Sequence, residues 1–297
     1  SSLFETGAWQ YLTDTFQNSL LINVLSATSL KMELQKESLP LFSFLHGNAS
    51  FIESSWRLKG GGSLIADSLI QDIRNQGQAT VEELIEKGRK LVCVRCSDGR
   101  LFEGEQFISD VHPAVTCSWI KQSECLRGIY RKRIGSLENT FGMFTVSLVV
   151  KPRTIKYFNW NQYICQEPDV WTFHQKNIPV KGLLICARPP EDGSEYLQQL
   201  DLLTPMTWDK LKPWTETHIG HRGESYTEMK RLLADECIRL AEQFIPGLRN
   251  SVTQAYVSTP LTYRDYTGTP EGSAYGIRKD YRYPMMTLLS PRTPLPN

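Results

Sequence analysis

Thr259-Pro-Leu-Thr-Tyr-Arg-Asp-Tyr-Thr-Gly-Thr-Pro-Glu-Gly-Ser-Ala-Tyr-Gly-Ile277, followed by Ser290-Pro-Arg-Thr-Pro-Leu-Pro-Asn297, is the most informative stretch of this chain. Gly268, Pro270, Gly272 and Gly276 punctuate it as a tight loop. Tyr263, Tyr266 and Tyr275 bring aromatic surface into it, and Arg264, Asp265 and Glu271 bring charge. Two readings stand side by side. In one, the loop borders a ligand and the tyrosines shape a pocket, since loops on a rigid scaffold often carry function. In the other it is a structural turn whose charges pair or face solvent.

Working upstream, residues 252–258 read as a strand. Residues 224–244 read as a long helix with Met229, Leu232, Leu233, Leu240 and Phe244 on its inner face, ended by Pro246-Gly247. Strands are expected at 182–187 and 144–150. Residues 80–110 read as a β-meander: strands at 81–85 and 90–96, a hairpin turn at Asp98-Gly99, and return strands at 100–102 and 106–109. Before it, Ser63 is a good N-cap and Gly77 a good stop for an amphipathic helix over 64–76, with Leu64, Ile65, Leu69, Ile70 and Ile73 as its apolar stripe. The opening, residues 5–30, reads as helix, and a less regular apolar segment follows, broken at Pro40. Helices and antiparallel strands mix without β-α-β alternation. The expected class is therefore α+β, a mixed, largely antiparallel sheet with packed helices.

Composition excludes several functions. Lys plus Arg is 33 against 32 Asp plus Glu, net charge +1, so nothing points to nucleic acid as a partner. No apolar run reaches the roughly 20 residues needed to span a bilayer. The first residues do not form a signal peptide, and the absent initiator Met suggests a piece of something longer. The cysteines number 7, an odd and scattered set, read as reduced thiols of an intracellular protein. Cys93 and Cys96 have CxxC spacing, but on a strand they point to opposite faces. The glycines at 60–62 before a helix could cradle a phosphate. The GxGxxG pattern fails, however, because Ile65 stands where the third glycine belongs. His218 and His221 lack a third ligand, so no metal site is expected; His112 before Pro113 reads as a strand end. Tyr130-Arg131-Lys132-Arg133 is a short basic cluster with two readings, a solvated loop or a contact with anionic lipid headgroups.

The C-terminal block resembles the phytoene desaturase, carotenoid isomerase and retinol saturase family of FAD-dependent oxidoreductases. There a PxGSxYG element precedes a TPxPN strand that leads into a flavin-contacting segment. Gly61-Gly62-Ser63 with its helix, Ser97-Asp98-Gly99, Phe107-Ile-Ser-Asp-Val-His-Pro113, and Tyr157-Phe-Asn-Trp-Asn161 with Trp171 extend the likeness over most of the chain from Lys59 onward. The family's N-terminal βαβ unit with GxGxxG is missing, as is its C-terminal flavin segment, and 77–81 is shorter than the family pattern.

The resemblance implies a two-domain flavoprotein. This chain would hold its substrate-binding domain (a helical part at 1–56 and the main part at 121–258), with FAD-domain pieces interleaved (a helix and meander at 57–120 and a return at 259–297). It implies hydride transfer with, or flavin-dependent isomerisation of, a conjugated polyene lipid in a long apolar cleft. The carry-over places Tyr263, Arg264, Tyr266, Glu271 and Tyr275 at the substrate pocket. Val81, Gly272, Ser273, Pro294 and Asn297 fall on the cofactor side, with no catalytic acid or base assigned. FAD belongs to the parent protein, and this chain alone is expected not to retain it and to be inactive. The partner is a lipophilic small molecule, and the location cytoplasmic, with peripheral membrane contact open. Two alternatives remain: an amine-oxidase-superfamily flavoprotein with another apolar substrate, and a non-catalytic lipid-binding module derived from this fold.

Overall fold

A computed structural model describes residues 2–53, 56, 58, 62–75, 79–173 and 180–297. The glycines at 60 and 61, the helix stop at Gly77, the shortened spacing after it and His174 lie outside the described residues.

The order of elements is α1 (Ala8–Thr15), α2 (Ser19–Ala27), α3 (Leu41–Glu53), α4 (Ser63–Asn75), β1 (Val81–Lys87), β2 (Lys90–Cys96), β3 (Leu101–Glu103), α5 (Pro113–Trp119), α6 (Gly128–Gly135), β4 (Gly142–Val150), β5 (Asn161–Cys165), β6 (Gly182–Ala187), β7 (Gln199–Met206), α7 (Gly223–Glu242), α8 (Leu248–Ser251), β8 (Val252–Ser258), α9 (Pro260–Thr267) and α10 (Pro284–Thr287). A 3₁₀ turn, Trp208–Trp214, leads toward α7. The strands form a 3-stranded sheet, β1-β2-β3, and a 5-stranded sheet, β5-β6-β7-β4-β8. All pairings are antiparallel, as the α+β reading expects.

Alternation along the larger sheet decides its burial, because successive side chains leave opposite faces. Phe144, Val146 and Leu148 of β4, Leu200 and Leu202 of β7, and Leu183 and Ile185 of β6 are all buried in one cluster with Ala234, Cys237, Ile238, Leu240 and Ala241 of α7. Each large aliphatic side chain there contributes roughly 1.5–3 kcal/mol. Of the stripe expected on α7, Leu240 is buried and Met229 and Leu233 pack against the cluster, while Leu232 and Phe244 are exposed.

A second cluster gathers α1, α2 and α3 around Trp171. The opening segment is two helices, not one, because Asn18 caps a new start by accepting from Leu20 N and Leu21 N. Trp171 donates its indole N–H to Ser26 Oγ at 3.1 Å, and Asn23 Oδ1 accepts from Val170 N at 3.1 Å. The irregular segment after Pro40 is instead α3, braced by Asn48, whose amide reaches Thr28 and Ser29. The third cluster joins β1 and β2 to α6 and Leu295.

Further differences from the sequence reading are local. Residues 106–109 form no strand. His112 caps α5 rather than ending a strand: its Nδ1 accepts from Ala114 N, and Nε2 lies 2.9 Å from Asn139 Oδ1. The basic cluster at 130–133 is helix α6, not a loop. The apolar stripe of α4 forms as a stripe, but all five of its residues are exposed. The seven cysteines are free thiols, and among the described residues no cluster could hold a metal ion and no helix is long and apolar enough to cross a membrane.

Candidate functional site

Among the described residues, the face of the larger sheet turned away from α7 is only partly covered, and its register lines up two rows of side chains. In the first, Tyr163, Leu184, Leu203, Thr145 and Ser258 stand opposite one another in turn across β5, β6, β7, β4 and β8. In the second, one pleat along, stand Asn161, Cys186, Asp201, Ser147 and Tyr256. One row is mainly apolar and aromatic; its neighbour is polar.

The C-terminal block folds back over the first row. Its first half is helix α9, not loop. Thr259 accepts from Leu261 N, Thr262 completes a capping box, Pro260 takes the first turn, and Gly268 closes the helix at φ 69. This helix places the Tyr263 hydroxyl 2.9 Å from Thr145 Oγ1. The next turn is bound to the start of β4: Ala274 N donates to Phe141 O and Tyr275 N to Thr140 Oγ1. Tyr275 is thereby brought within electrostatic reach of Tyr163, Tyr263 and Cys186. The residue as a whole is 44% exposed, yet desolvation of the hydroxyl pushes the phenol above the ordinary tyrosine range. Burial also raises Tyr163, whose hydroxyl is sealed from solvent with no hydrogen-bond partner. The Asn161 amide lies near enough to favour the phenolate slightly but not in hydrogen-bonding geometry. Both phenols therefore stay protonated at neutral pH.

The polar row is knitted together. Ser147 Oγ donates to Asp201 Oδ1 at 2.6 Å, and Arg188 grips Asp201 at 2.6 and 3.0 Å while reaching Gln199 at 3.2 Å. At this end a cleft of about 690 Å³ opens between the sheet (Asn161, Cys186, Arg188) and the approach to α4 (Trp56, Leu58, Ser63). The arrangement offers apolar and aromatic surface with a few fixed polar groups beside it, and the carboxylate among them, Asp201, is tied up by Arg188 as well as by the Ser147 hydroxyl.

The expected pocket residues divide. Tyr263 and Tyr275 converge on the open sheet face. Arg264 turns away: it donates to Asp265 Oδ1 at 2.8 Å and Thr215 O at 2.7 Å and lies over the Trp208 ring, while Asp265 also pairs with buried Arg222. Tyr266 is exposed on a separate cleft beside the start of α7. Glu271, at φ 56, lies on the far side of the turn near Asn139 and Arg278.

The expected cofactor residues also differ among themselves. Val81 begins edge strand β1; because Ser97 N donates to Thr80 O, the next residue's own N–H and C=O point away from β2, to the edge where no described strand pairs. Gly272 and Ser273 are buried, and Ser273 Oγ has no partner. Pro294 is exposed. The Asn297 amide is fully occupied: it accepts from Leu91 N at 3.0 Å and donates to Leu91 O at 2.9 Å and Glu105 O at 3.0 Å. Sequence reasoning missed Tyr163, Cys186, Asp201 and Arg188. The clue available was the alternation of Leu200, Leu202 and Thr204 with Asp201 and Leu203, which marks a strand with one buried face.

The chain is 26% identical over 230 residues to a chloroplastic prolycopene isomerase of Daucus carota, covering 73% of this chain and 35% of that protein. Two prolycopene isomerases of an Oncidium hybrid cultivar match to the same identity and length, with 37% of each covered. The chain thus spans little more than a third of the curated relatives it matches. A solved structure of an oxidoreductase from Methanosarcina mazei superposes with a TM-score of 0.54 at 13% identity, over 98% of this chain and 61% of that one, a likeness of fold. No family model matches. The resemblance to the carotenoid isomerase family is thereby supported by the curated relatives, and the fold by the solved structure.

Proposed function

We propose that this chain forms the substrate-binding part of a FAD-dependent oxidoreductase that acts on a conjugated polyene lipid. The observation that carries this is the open sheet face, where Tyr163, Tyr263 and Tyr275 gather over Leu184 and Leu203 with no acid–base pair among them. A polyene offers π surface and little else, so it is held by apolar area and aromatic edges rather than by charge.

FAD, when bound, supplies the hydride chemistry. The chain's residues fit such a group in two places. Val81 turns its backbone N–H and C=O to a sheet edge where no described strand pairs, suited to the edge of a base. Ser273 keeps an unpaired hydroxyl next to the turn that carries Tyr275. Asn297 would act indirectly, by fixing the edge of β2 through Leu91. The tyrosines orient the chain of double bonds and exclude water, and Tyr163 and Tyr275, protonated throughout the neutral range, neither donate nor remove charge. Tyr263, anchored on Thr145, holds α9 to the sheet.

The test is the visible spectrum of the purified full-length protein under anaerobic conditions, before and after adding a polyene. An oxidised-flavin band that bleaches or shifts, with altered polyene recovered by chromatography, is expected. A protein that stays colourless after adding FAD, yet binds polyene, would move the assignment to a lipid-binding module.

A further inference from the structure

The smaller sheet carries a feature that the polyene site does not use. The β1–β2 turn runs Lys87-Gly88-Arg89-Lys90, with Gly88 at φ 57 and Arg89 at φ 67, so its cations project at the tip of a tight hairpin. The loop before α6 wraps this tip. Glu86 accepts from the Ser123 hydroxyl and from Glu124 N at 3.0 Å, and Cys125 Sγ donates to Arg89 O at 3.6 Å. Leu91, Leu126 and Tyr130 then pack in one cluster. Two basic segments far apart in sequence, 87–90 and 127–133, therefore share one end of the molecule.

On α6, Ile129 stands one turn from Lys132 and Arg133 on the same face, while Ile134 points to the core. Ile129 is 80% exposed. Lys87, Arg89, Lys90, Arg127 and Lys132 are exposed, Arg133 is half-buried against Tyr130, and none has a carboxylate partner among the described residues. The nearby acids are Glu86, already engaged, Glu105 and Glu124. In a chain of net charge +1 this is a strong local excess.

We propose that this end, the β1–β2 tip together with α6, docks on an anionic lipid surface, its cations among the headgroups and Ile129 in the interfacial layer. An exposed isoleucine ringed by cations suits a boundary that is charged outside and apolar within. A nucleic-acid strand would call for exposed aromatic faces, and Tyr130 is covered by Arg133.

The experiment is co-sedimentation of the full-length protein with vesicles of phosphatidylcholine alone or mixed with phosphatidylserine, at low and high salt. Binding to the mixed vesicles that weakens with salt is expected. The triple variant Lys87→Gln/Arg127→Gln/Lys132→Gln should lose about fivefold per cation, ~100-fold together, while Lys87→Arg/Arg127→Lys/Lys132→Arg keeps binding and controls for folding. Ile129→Ser should weaken binding at both salt concentrations. Equal binding to neutral vesicles, an unchanged triple variant, or tighter binding to polyuridylate than to anionic vesicles would each overturn the proposal.

Discussion

Substituting Gly272 by alanine probes the clamp that sets Tyr263 and Tyr275 over the sheet. Gly272 lies at φ +57, and a Cβ there would fall 1.8 Å from the Pro260 carbonyl oxygen and 2.5 Å from its carbon. Real Cβ contacts essentially never fall under 3.0 Å, so the backbone at the start of α9 must withdraw by about 1.2 Å. It has no room to do so. Thr259 and Leu261 are fully buried, and the Gly272 carbonyl already sits where a Cβ on Gly142 would meet it at 2.5 Å. The left-handed conformation costs about 1 kcal/mol, overpacking about 1–3 kcal/mol, and a loosened Thr259 cap about 1 kcal/mol. The expected loss is therefore ~4 kcal/mol, a large share of a typical folding free energy. Gly268 separates the contributions: at φ +69 with nothing within 4 Å of its Cβ position, its alanine variant should lose only the conformational part, about 1 kcal/mol. Urea denaturation of the full-length protein and both variants, followed by tryptophan fluorescence, measures the difference. If the two variants lie within about 0.5 kcal/mol of each other, the steric reasoning fails.

Three further outcomes follow from particular groups. Tyr163→Phe removes a buried hydroxyl that has no partner; it should leave stability unchanged or raise it by about 1 kcal/mol, and denaturation midpoints will show which, with a loss above about 1 kcal/mol ruling out an unsatisfied group. Burial pushes Cys237 from 9.0 up to about 12. The unfolded thiol ionises first, so its contribution is complete below pH 9.0 and is lost as pH rises through about 12, at up to ~1.4 kcal/mol per pH unit. Cys237→Ala should flatten that alkaline slope, as measured by denaturation at pH 9.0 and above. Asn297→Ala strips the Leu91 N–H and the carbonyls of Leu91 and Glu105 of their partner; it should cost about 2 kcal/mol and raise hydrogen exchange at Leu91, with unchanged exchange counting against the clamp.

The elements legible in the sequence were those whose pattern is local. Lys90–Cys96 and Gly182–Ala187 are rich in aliphatic residues and Val252–Ser258 in β-branched and aromatic ones, and each forms a strand with those bounds. Gln199–Met206 was overlooked because Asp201 and Pro205 interrupt its apolar run. Asp201 is tolerable in a central strand because Ser147 of β4 and Arg188, just past the end of β6, satisfy it, and both lie outside its own strand in sequence. α3 was missed because Gly47, Asn48 and Ser50 lower its propensity, while the Asn48 side chain repays this through the Thr28–Ser29 turn. The inner face of α7 is legible in part: Met229, Leu233 and Leu240 pack on the cluster, Leu232 and Phe244 face solvent, and the small residues Ala234, Cys237 and Ala241 complete the contact.

The candidate site was less legible for a related reason. Tyr263 and Tyr275 stood out because they lie in a distinctive block, but Arg264, Tyr266 and Glu271 stood out equally, and only the geometry of α9 separates them. Tyr263 turns inward to Thr145, while its neighbours Arg264 and Tyr266 leave the helix in other directions. Tyr163 and Cys186 had no local mark at all. What makes them part of a site is that Tyr163 stands opposite Leu184, and Leu184 opposite Leu203, while Cys186 stands opposite Asp201. A shift of one residue in either pairing would send these side chains to the α7 face and bring core residues such as Ile185 and Leu202 outward. The same burial that fixes the register, Leu183, Ile185, Leu200 and Leu202 against α7, therefore also fixes the composition of the open face. The core on one side of the sheet specifies the side chains on the other, and substitutions on the α7 side that loosen the register should disturb the proposed polyene binding without touching that face.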